Sequence, residues 1–176
     1  MGLHAAPDGT IWVTAHHAAT LDEIDPATNG IAGTLSVSDG GDIPARFVAT
    51  PTTLFEVSYA GDDIFAIDPT TRTVTGKLTL PLENCCYPVY GAGSFWVLAF
   101  SSATAVNANR LERVDPATGH MLATVSLPNA QGLVFGAGGI WGMSNGRVFR
   151  LDPATNTVVA RIRSNAQPSA YAGGSI

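Results

Sequence analysis

The chain is predicted to be all-β, built from four-stranded antiparallel sheets that repeat along the sequence. Three observations predict it. A short phrase recurs four times, as Asp25-Pro26-Ala27-Thr28-Asn29, Asp68-Pro69-Thr70-Thr71-Arg72, Asp115-Pro116-Ala117-Thr118-Gly119 and Asp152-Pro153-Ala154-Thr155-Asn156. An aromatic residue precedes each copy, at Trp12, Phe55, Trp96 and Trp141, with spacings of 43, 41 and 45 residues. The segments between them alternate apolar and polar with a period of two, and none carries an apolar stripe of helical period. A period of about 44 residues filled only with strand-like segments is that of propeller blades. The fold expected is a β-propeller: four four-stranded antiparallel blades plus the first strands of a fifth.

Composition agrees. Charged residues are 13% of the 176, with 19 Gly and 11 Pro, against about 25% charged in ordinary soluble domains. Few charges with many turn formers and β-branched residues suit short strands and tight turns. The net charge of −5, without a basic cluster, argues against a nucleic-acid partner, which needs a positive footprint. No apolar run reaches the roughly 20 residues of a membrane span, so no membrane partner is expected. Residues 1–7 lack the basic and apolar regions of a signal peptide. A periplasmic or secreted location is nevertheless expected over a cytoplasmic one.

The elements follow in order. In the first blade, about residues 1–43, strand B is Gly9 to Thr14, C is Leu21 to Ile24 and D is Ile31 to Val37. The second, about 44–82, has Arg46 to Thr50 as A, Thr53 to Ser58 as B, Asp63 to Ile67 as C and Thr73 to Leu80 as D. The third, about 83–128, has Tyr87 to Tyr90, Ser94 to Ala99, Arg110 to Val114 and His120 to Leu127. Its strand C should alternate out and in, leaving Glu112 and Arg110 outward. The fourth, about 129–166, turns at Gly136-Ala137-Gly138, with C at Arg147 to Leu151 and D at Thr157 to Ile162. Residues 167–176 then match the approach to the next aromatic position, as the start of a fifth blade. On this reading the chain is part of a propeller of roughly six to eight blades. A self-contained four-blade ring, or a dimer that closes to eight, is the alternative.

Each Asp-Pro phrase is read as the turn between strands C and D. Proline presets φ at the second position, and the Asp carboxylate accepts backbone N–H groups just beyond. The adjacent Cys85 and Cys86 cannot staple distant segments. They are read as two free thiols at a strand entrance, with a vicinal disulfide or a reactive role as alternatives. The tryptophans are read as packing between blades.

The phrase Gly136-Ala137-Gly138-Gly139-Ile140-Trp141, followed by Arg147-Val148-Phe149-Arg150-Leu151-Asp152 and its turn, resembles the YVTN-type and virginiamycin B lyase-like (streptogramin lyase-like) propeller repeats. The resemblance covers essentially the whole chain and concerns the fold. Lyases of that kind are seven-bladed and use a histidine and acidic residues with a divalent metal to open a cyclic depsipeptide. No catalytic position carries over to this chain. The aromatic-to-turn skeleton is also similar to quinone-dependent dehydrogenase propellers, without their tryptophan docking motifs.

An antiparallel meander puts the A–B and C–D turns at one end of each sheet and the B–C and D–A connections at the other. The first set is nearly constant among the four copies and the second set varies. Variable connections on a rigid scaffold are where binding residues collect. The candidate ligand-binding residues at that end are His16, His17, Asp39, Asp42, Asp62, Glu83, Asn84, Asn107, Asn109, Asn129, Gln131, Asn165 and Gln167. Asn129-Ala130-Gln131 and Asn165-Ala166-Gln167 repeat one phrase at equivalent D–A positions. Loop capping explains such amides as readily as ligand contact. His16 and His17, as strand-end neighbours, point to opposite faces and do not form an obvious metal pair. Asp39, Asp42 and Glu83 could offer oxygen ligands to Mg²⁺ or Ca²⁺ but lack the dense spacing of a calcium loop.

The function expected is a binding scaffold for a small polar molecule, glycan or peptide at the B–C/D–A end. The alternatives are a metal-assisted lyase or hydrolase of the streptogramin lyase type, with a divalent cation, and a structural protein-interaction module. A homo-oligomer is a further expectation if the chain is complete.

Overall fold

The computed structural model describes residues 3–5, 9–15, 20–37, 44–50, 52–58, 63–79, 85–99 and 108–164. The chain divides into two compact units, Met1–Leu80 and Pro81–Ile176. Every regular element among the described residues is a strand.

In the first unit, β1 (Leu3–Ala5), β2 (Ile11–Ala15), β3 (Thr20–Asp25) and β4 (Gly30–Ser36) form one antiparallel sheet in chain order. A second sheet repeats the arrangement with β5 (Pro44–Ala49), β6 (Leu54–Ser58), β7 (Asp63–Asp68) and β8 (Thr73–Thr79). The expected strands are all present, within a few residues at their ends. The addition is β1, which pairs Leu3 with Val13 and Ala5 with Ile11. Three residues are too short to show an alternation, so the sequence carries no strand signal there.

The second unit departs from the simple repeat. Its strands β9 (Cys85–Gly91), β10 (Ser94–Ala99), β11 (Ala108–Val114), β12 (Met121–Gly136), β13 (Gly139–Ser144), β14 (Arg147–Asp152) and β15 (Thr157–Arg163) form one seven-stranded sheet in chain order. The join is β12, a 16-residue strand. Its first part pairs with β11 and its last part with β13. A connection was expected at residues 128–131, but these residues stay in strand pairing. Two left-handed residues make this possible: Asn129 at φ 57° and Gly132 at φ 56° swing the strand from one half of the sheet to the other. The pairing slips by a residue between Gln131 and Leu133, where the bend is made.

Each unit has its own core. In the first, Trp12, Leu21, Val37, Leu54 and Ile67 form one cluster, drawn from both sheets. In the second, Trp96, Leu98, Leu111, Leu127, Ala130, Ile140, Phe149 and Leu151 do the same. Each of the larger aliphatic and phenylalanine side chains contributes about 1.5–3 kcal/mol by leaving water. Burial differs among the strands: every residue of β10 is buried, whereas β8 and β15 are largely exposed. The expected outward position of Glu112 is overturned, since it is only 1% exposed. Its carboxylate accepts from Arg110 Nε at 2.7 Å and Thr124 Oγ1 at 2.5 Å, so its burial is compensated.

The pairing between strands C and D shows a longer period than the sequence suggests. Asp22 accepts from Thr34 at 2.7 Å in the first sheet, as Glu112 does from Thr124 in the third. At the same position in the second sheet, Lys77 lies over the Phe65 ring at 5.4 Å, and between β14 and β15 Phe149 stands opposite Arg161. Acid with hydroxyl thus alternates with aromatic with cation.

Candidate functional site

The C–D turns are built alike, and their aspartates are spent on the turns themselves. The Asp Oδ1 accepts the N–H two residues on: from Ala27, Thr70 and Ala117 at 2.8 Å each, and from Ala154 at 2.9 Å. The Asp carbonyl accepts the N–H four residues on, from Asn29 at 2.8 Å and from Arg72 and Gly119 at 2.9 Å. That fourth residue is left-handed in every copy, at φ 55° for Asn29, 55° for Arg72, 74° for Gly119 and 56° for Asn156. The backbone N–H donors hold the carboxyls of Asp25, Asp68 and Asp115 below the usual carboxylate range. These aspartates are turn formers, as the sequence suggests.

The same turns also join neighbouring four-strand repeats. In the first unit, Arg72 at the end of one turn donates to the carboxylate of Glu23 on β3. In the second unit, Arg113 Nη1 donates to the Pro153 carbonyl at 2.8 Å and to Asn156 Oδ1 at 3.1 Å. Glu23 and Arg113 occupy one repeat position, two residues before the turn aspartate, and Arg72 and Asn156 occupy another, four after it. Arg113 is held in place by Ser94 Oγ, 2.9 Å from its Nε, and by the Trp96 ring 5.2 Å below its guanidinium.

The sequence assigns the candidate residues to the opposite end of the sheets. Asn109, Asn129 and Gln131 are described. His16, His17, Asp39, Asp42, Asp62, Glu83, Asn84, Asn107, Asn165 and Gln167 lie outside the described residues. Asn109 is exposed near the start of β11, beside Ala108, which pairs with Ala130. Gln131 is half-buried and pairs with Met143.

Asn129 is exposed, and its Nδ2 donates to Asn145 Oδ1 at 2.7 Å. Asn145 and Gly146, at φ 52° and 69°, make the two-residue turn between β13 and β14. Ser144 Oγ donates to the Pro128 carbonyl at 2.8 Å, tying the same turn to β12 a second time. Asn145 is the residue that a reading of the sequence passes over, because Asn-Gly is a sufficient turn signal by itself. Its companion could have been found only by knowing that β12 crosses beside it.

That crossing is close. A Cβ at Gly142 would lie 2.4 Å from the Gly132 carbonyl and 2.8 Å from the Phe149 ring, so glycine alone fits. The two exposed amides thus sit on a rigid junction and not on a free loop. Chemically they offer neutral donors and acceptors. The described acid at this end, Asp63, is already engaged by Thr79 Oγ1 at 2.6 Å and Lys77 Nζ at 2.8 Å. Burial pushes its carboxyl up, and these two partners bring it below the ordinary value. Among the described residues no group of three or more His, Cys, Asp or Glu could hold a metal ion. One feature escapes the composition: Arg147 and Arg163, both exposed, stand directly opposite each other on β14 and β15.

The sequence matches no family model and no curated protein sequence. Solved structures do match. Glutaminyl cyclase of Myxococcus xanthus superposes with a TM-score of 0.63 at 16% identity, over 93% of this chain and 70% of that one. Virginiamycin B lyase from Staphylococcus aureus gives 0.71 at 16% identity, over 94% of this chain and 55% of that one. A chain of the Mitotic Checkpoint Complex gives 0.72 at 13% identity, over 96% and 53%. The chain thus spans about half the length of the last two. At such identities the likeness concerns architecture alone, and the architecture is that of a β-propeller.

Proposed function

We propose that the chain is a β-propeller binding scaffold that takes a small polar ligand, glycan or peptide at the B–C/D–A end of its sheets. The observation that supports this reading is the contrast between the two ends. The C–D turns repeat one structure whose carboxylates and carbonyls are satisfied internally. The other end differs from copy to copy and presents exposed amides, with the hydrogen-bonded pair Asn129–Asn145 held on rigid backbone. Rigid, pre-placed neutral donors and acceptors lose little entropy on binding and suit hydroxyl and amide groups.

The test is a binding screen against immobilised oligosaccharides and peptides with Asn129→Asp and Asn145→Asp variants. Aspartate tolerates the left-handed backbone of both positions. Loss of one hydrogen bond of about 0.5–1.5 kcal/mol weakens binding by roughly 2- to 13-fold. Asn156→Asp, at the opposite end, should bind as the unaltered chain does. Equal loss from all three variants, or from Asn156→Asp alone, contradicts the reading.

A further inference from the structure

We propose that Arg147 and Arg163, side by side on β14 and β15, bind the phosphate group of a small ligand. The inference rests on the reading that this end of the sheets takes a small polar ligand, and it names that ligand's chemistry. Arg147 follows the Asn145-Gly146 turn and pairs directly with Arg163. Phe149 pairs with Arg161 one row further on, so the three arginines project from one face of the sheet. All three are exposed.

Nothing in the sheet answers their charge. The other basic side chains among the described residues are engaged: Arg72 meets Glu23, Lys77 meets Asp63 and Arg110 meets Glu112. Arg113 reaches Pro153 and Asn156, and Arg150 reaches Ala137. Among the described residues no hydrogen bond or ion pair engages the guanidinium of Arg147, Arg161 or Arg163. Their surroundings explain why. In the same rows stand Ser144 and Gly142 of β13 and the buried Phe149, none of them acidic. Phe149 packs with Leu111 and Leu127 of the preceding repeat, with Val125 against them. This is therefore the face turned toward that repeat, whose β12 presents Ala123, Val125 and Leu127 on that side. Glu112 lies on the other face of β11, already held by Arg110 and Thr124. In a chain of net charge −5, three like charges are gathered where the fold gives them no partner, at a cost in stability.

Chemistry selects the ligand. Directly opposed residues of antiparallel strands have Cα atoms about 5 Å apart, so two arginine side chains can close on one group. Each guanidinium offers a planar fork of donors suited to a pair of oxygens. A carboxylate has two oxygens and one charge, enough for one fork. A phosphate monoester has three free oxygens and a charge of about −1.5 to −2 at pH 7, which suits two. A nucleic-acid backbone asks for a longer positive stripe than three arginines on a chain of net charge −5 provide. Asn145, two residues before Arg147, is bonded to Asn129, and this amide pair suits the hydroxyl groups of the same ligand. A sugar phosphate carries both kinds of group.

The test is a titration of the isotope-labelled chain at low salt with inorganic phosphate, glucose 6-phosphate and glucose, following the arginine Nε–Hε resonances. Both phosphates should shift Arg147 and Arg163 and leave Arg72 and Arg113 unmoved, and glucose should shift neither pair. Arg147→Gln and Arg163→Gln, at exposed positions where folding is retained, should each weaken phosphate binding about fivefold. Tighter binding of glucose 6-phosphate than of inorganic phosphate assigns the group to a sugar ligand, and equal binding assigns it to the free anion; both support the proposal. Silence of Arg147 and Arg163, or binding undiminished in both variants, overturns it. The broader reading fails separately. A ligand from the screen that moves Asn129 and Asn145, with the arginines silent toward phosphate, upholds the binding end and overturns the phosphate assignment. Arginine shifts with phosphate, when no ligand from the screen reaches the amides, support the assignment and count against the broader reading.

Discussion

Arg72 donates its Nε to the carboxylate of Glu23, and this ion pair ties the turn of one sheet to strand β3 of another, 49 residues earlier. The pair is unequal, with a side-chain exposure of 6% for Glu23 and 48% for Arg72. Removing the arginine leaves a carboxylate enclosed without its counter-charge. Removing both leaves nothing to compensate. Arg72→Ala is therefore expected to lower the melting temperature more than Arg72→Ala with Glu23→Ala. Thermal unfolding of both single variants and the double variant checks it, and an additive cycle contradicts it.

The tryptophans should differ in worth although they occupy one repeat position. Trp96 is fully buried in the core of the second unit, and its indole N–H reaches the Gly91 carbonyl at 3.0 Å. Trp141 makes the equivalent bond to Gly136 at 2.9 Å but is only half-buried. Trp96→Ala is expected to cost about 3–5 kcal/mol, in line with large cavities in cores. Trp141→Ala should cost less than half as much. Chemical denaturation of the two variants measures the difference.

The turn aspartates give the protein a defined weakness to acid. In the folded chain Asp25, Asp68 and Asp115 titrate below their unfolded value, because backbone N–H groups stabilise the charged form. Their contribution is present in full above the unfolded pKa of about 3.9 and is lost as pH falls through the lower folded values. Asparagine keeps the acceptor oxygen and removes the titration. The triple variant Asp25→Asn, Asp68→Asn, Asp115→Asn should therefore lose less stability than the parent between about pH 4 and pH 2. Denaturant midpoints across that range test it, and parallel curves count against it.

The crossing at β12 depends on a residue without a side chain. A methyl group at Gly142 would meet the Gly132 carbonyl and the Phe149 ring inside contact distance, and backbone cannot retreat as a flexible side chain can. Gly142→Ala is expected to destabilise by about 1–3 kcal/mol or more. It should also disturb the Asn129–Asn145 pair next to it, which amide side-chain resonances would report.

These features divide by how local their causes are. The strands and C–D turns were legible because proline, aspartate and the left-handed residue act within five positions, and the two-residue period needs no partner. Strand β10 falls at Ser94–Ala99, where the pattern places it. The continuity of β12 was not legible, since it rests on two left-handed residues, Asn129 and Gly132, one of which has no special sequence context. The burial of Glu112 was hidden for another reason: alternation assumes that one face of the strand is wet, and Glu112 and Leu111, which alternate on β11, are both buried. Asn145 went unnoticed as the partner of Asn129 because the contact joins two connections that local pattern reads separately. Of the thirteen candidate residues, Asn109, Asn129 and Gln131 have described positions: Asn109 near the start of β11, and Asn129 and Gln131 within β12 where it bends.

Arg147 and Arg163 offer a test on the surface. Like charges directly across a sheet repel. Arg163→Glu is expected to stabilise the second unit by about 0.2–1 kcal/mol at low salt, with the gain shrinking as salt rises. A loss of stability would mean that the two arginines are held apart by other contacts.

The measurement that bears most directly on the binding scaffold is a backbone and side-chain amide shift map of the isotope-labelled chain, titrated with an oligosaccharide or peptide that the screen retains. The expected result is a set of perturbations at Asn109, Asn129, Gln131 and Asn145, with residues 25–29, 68–72, 115–119 and 152–156 unmoved. Perturbations centred on those four turns, with the amide end silent, would contradict the placement of the site.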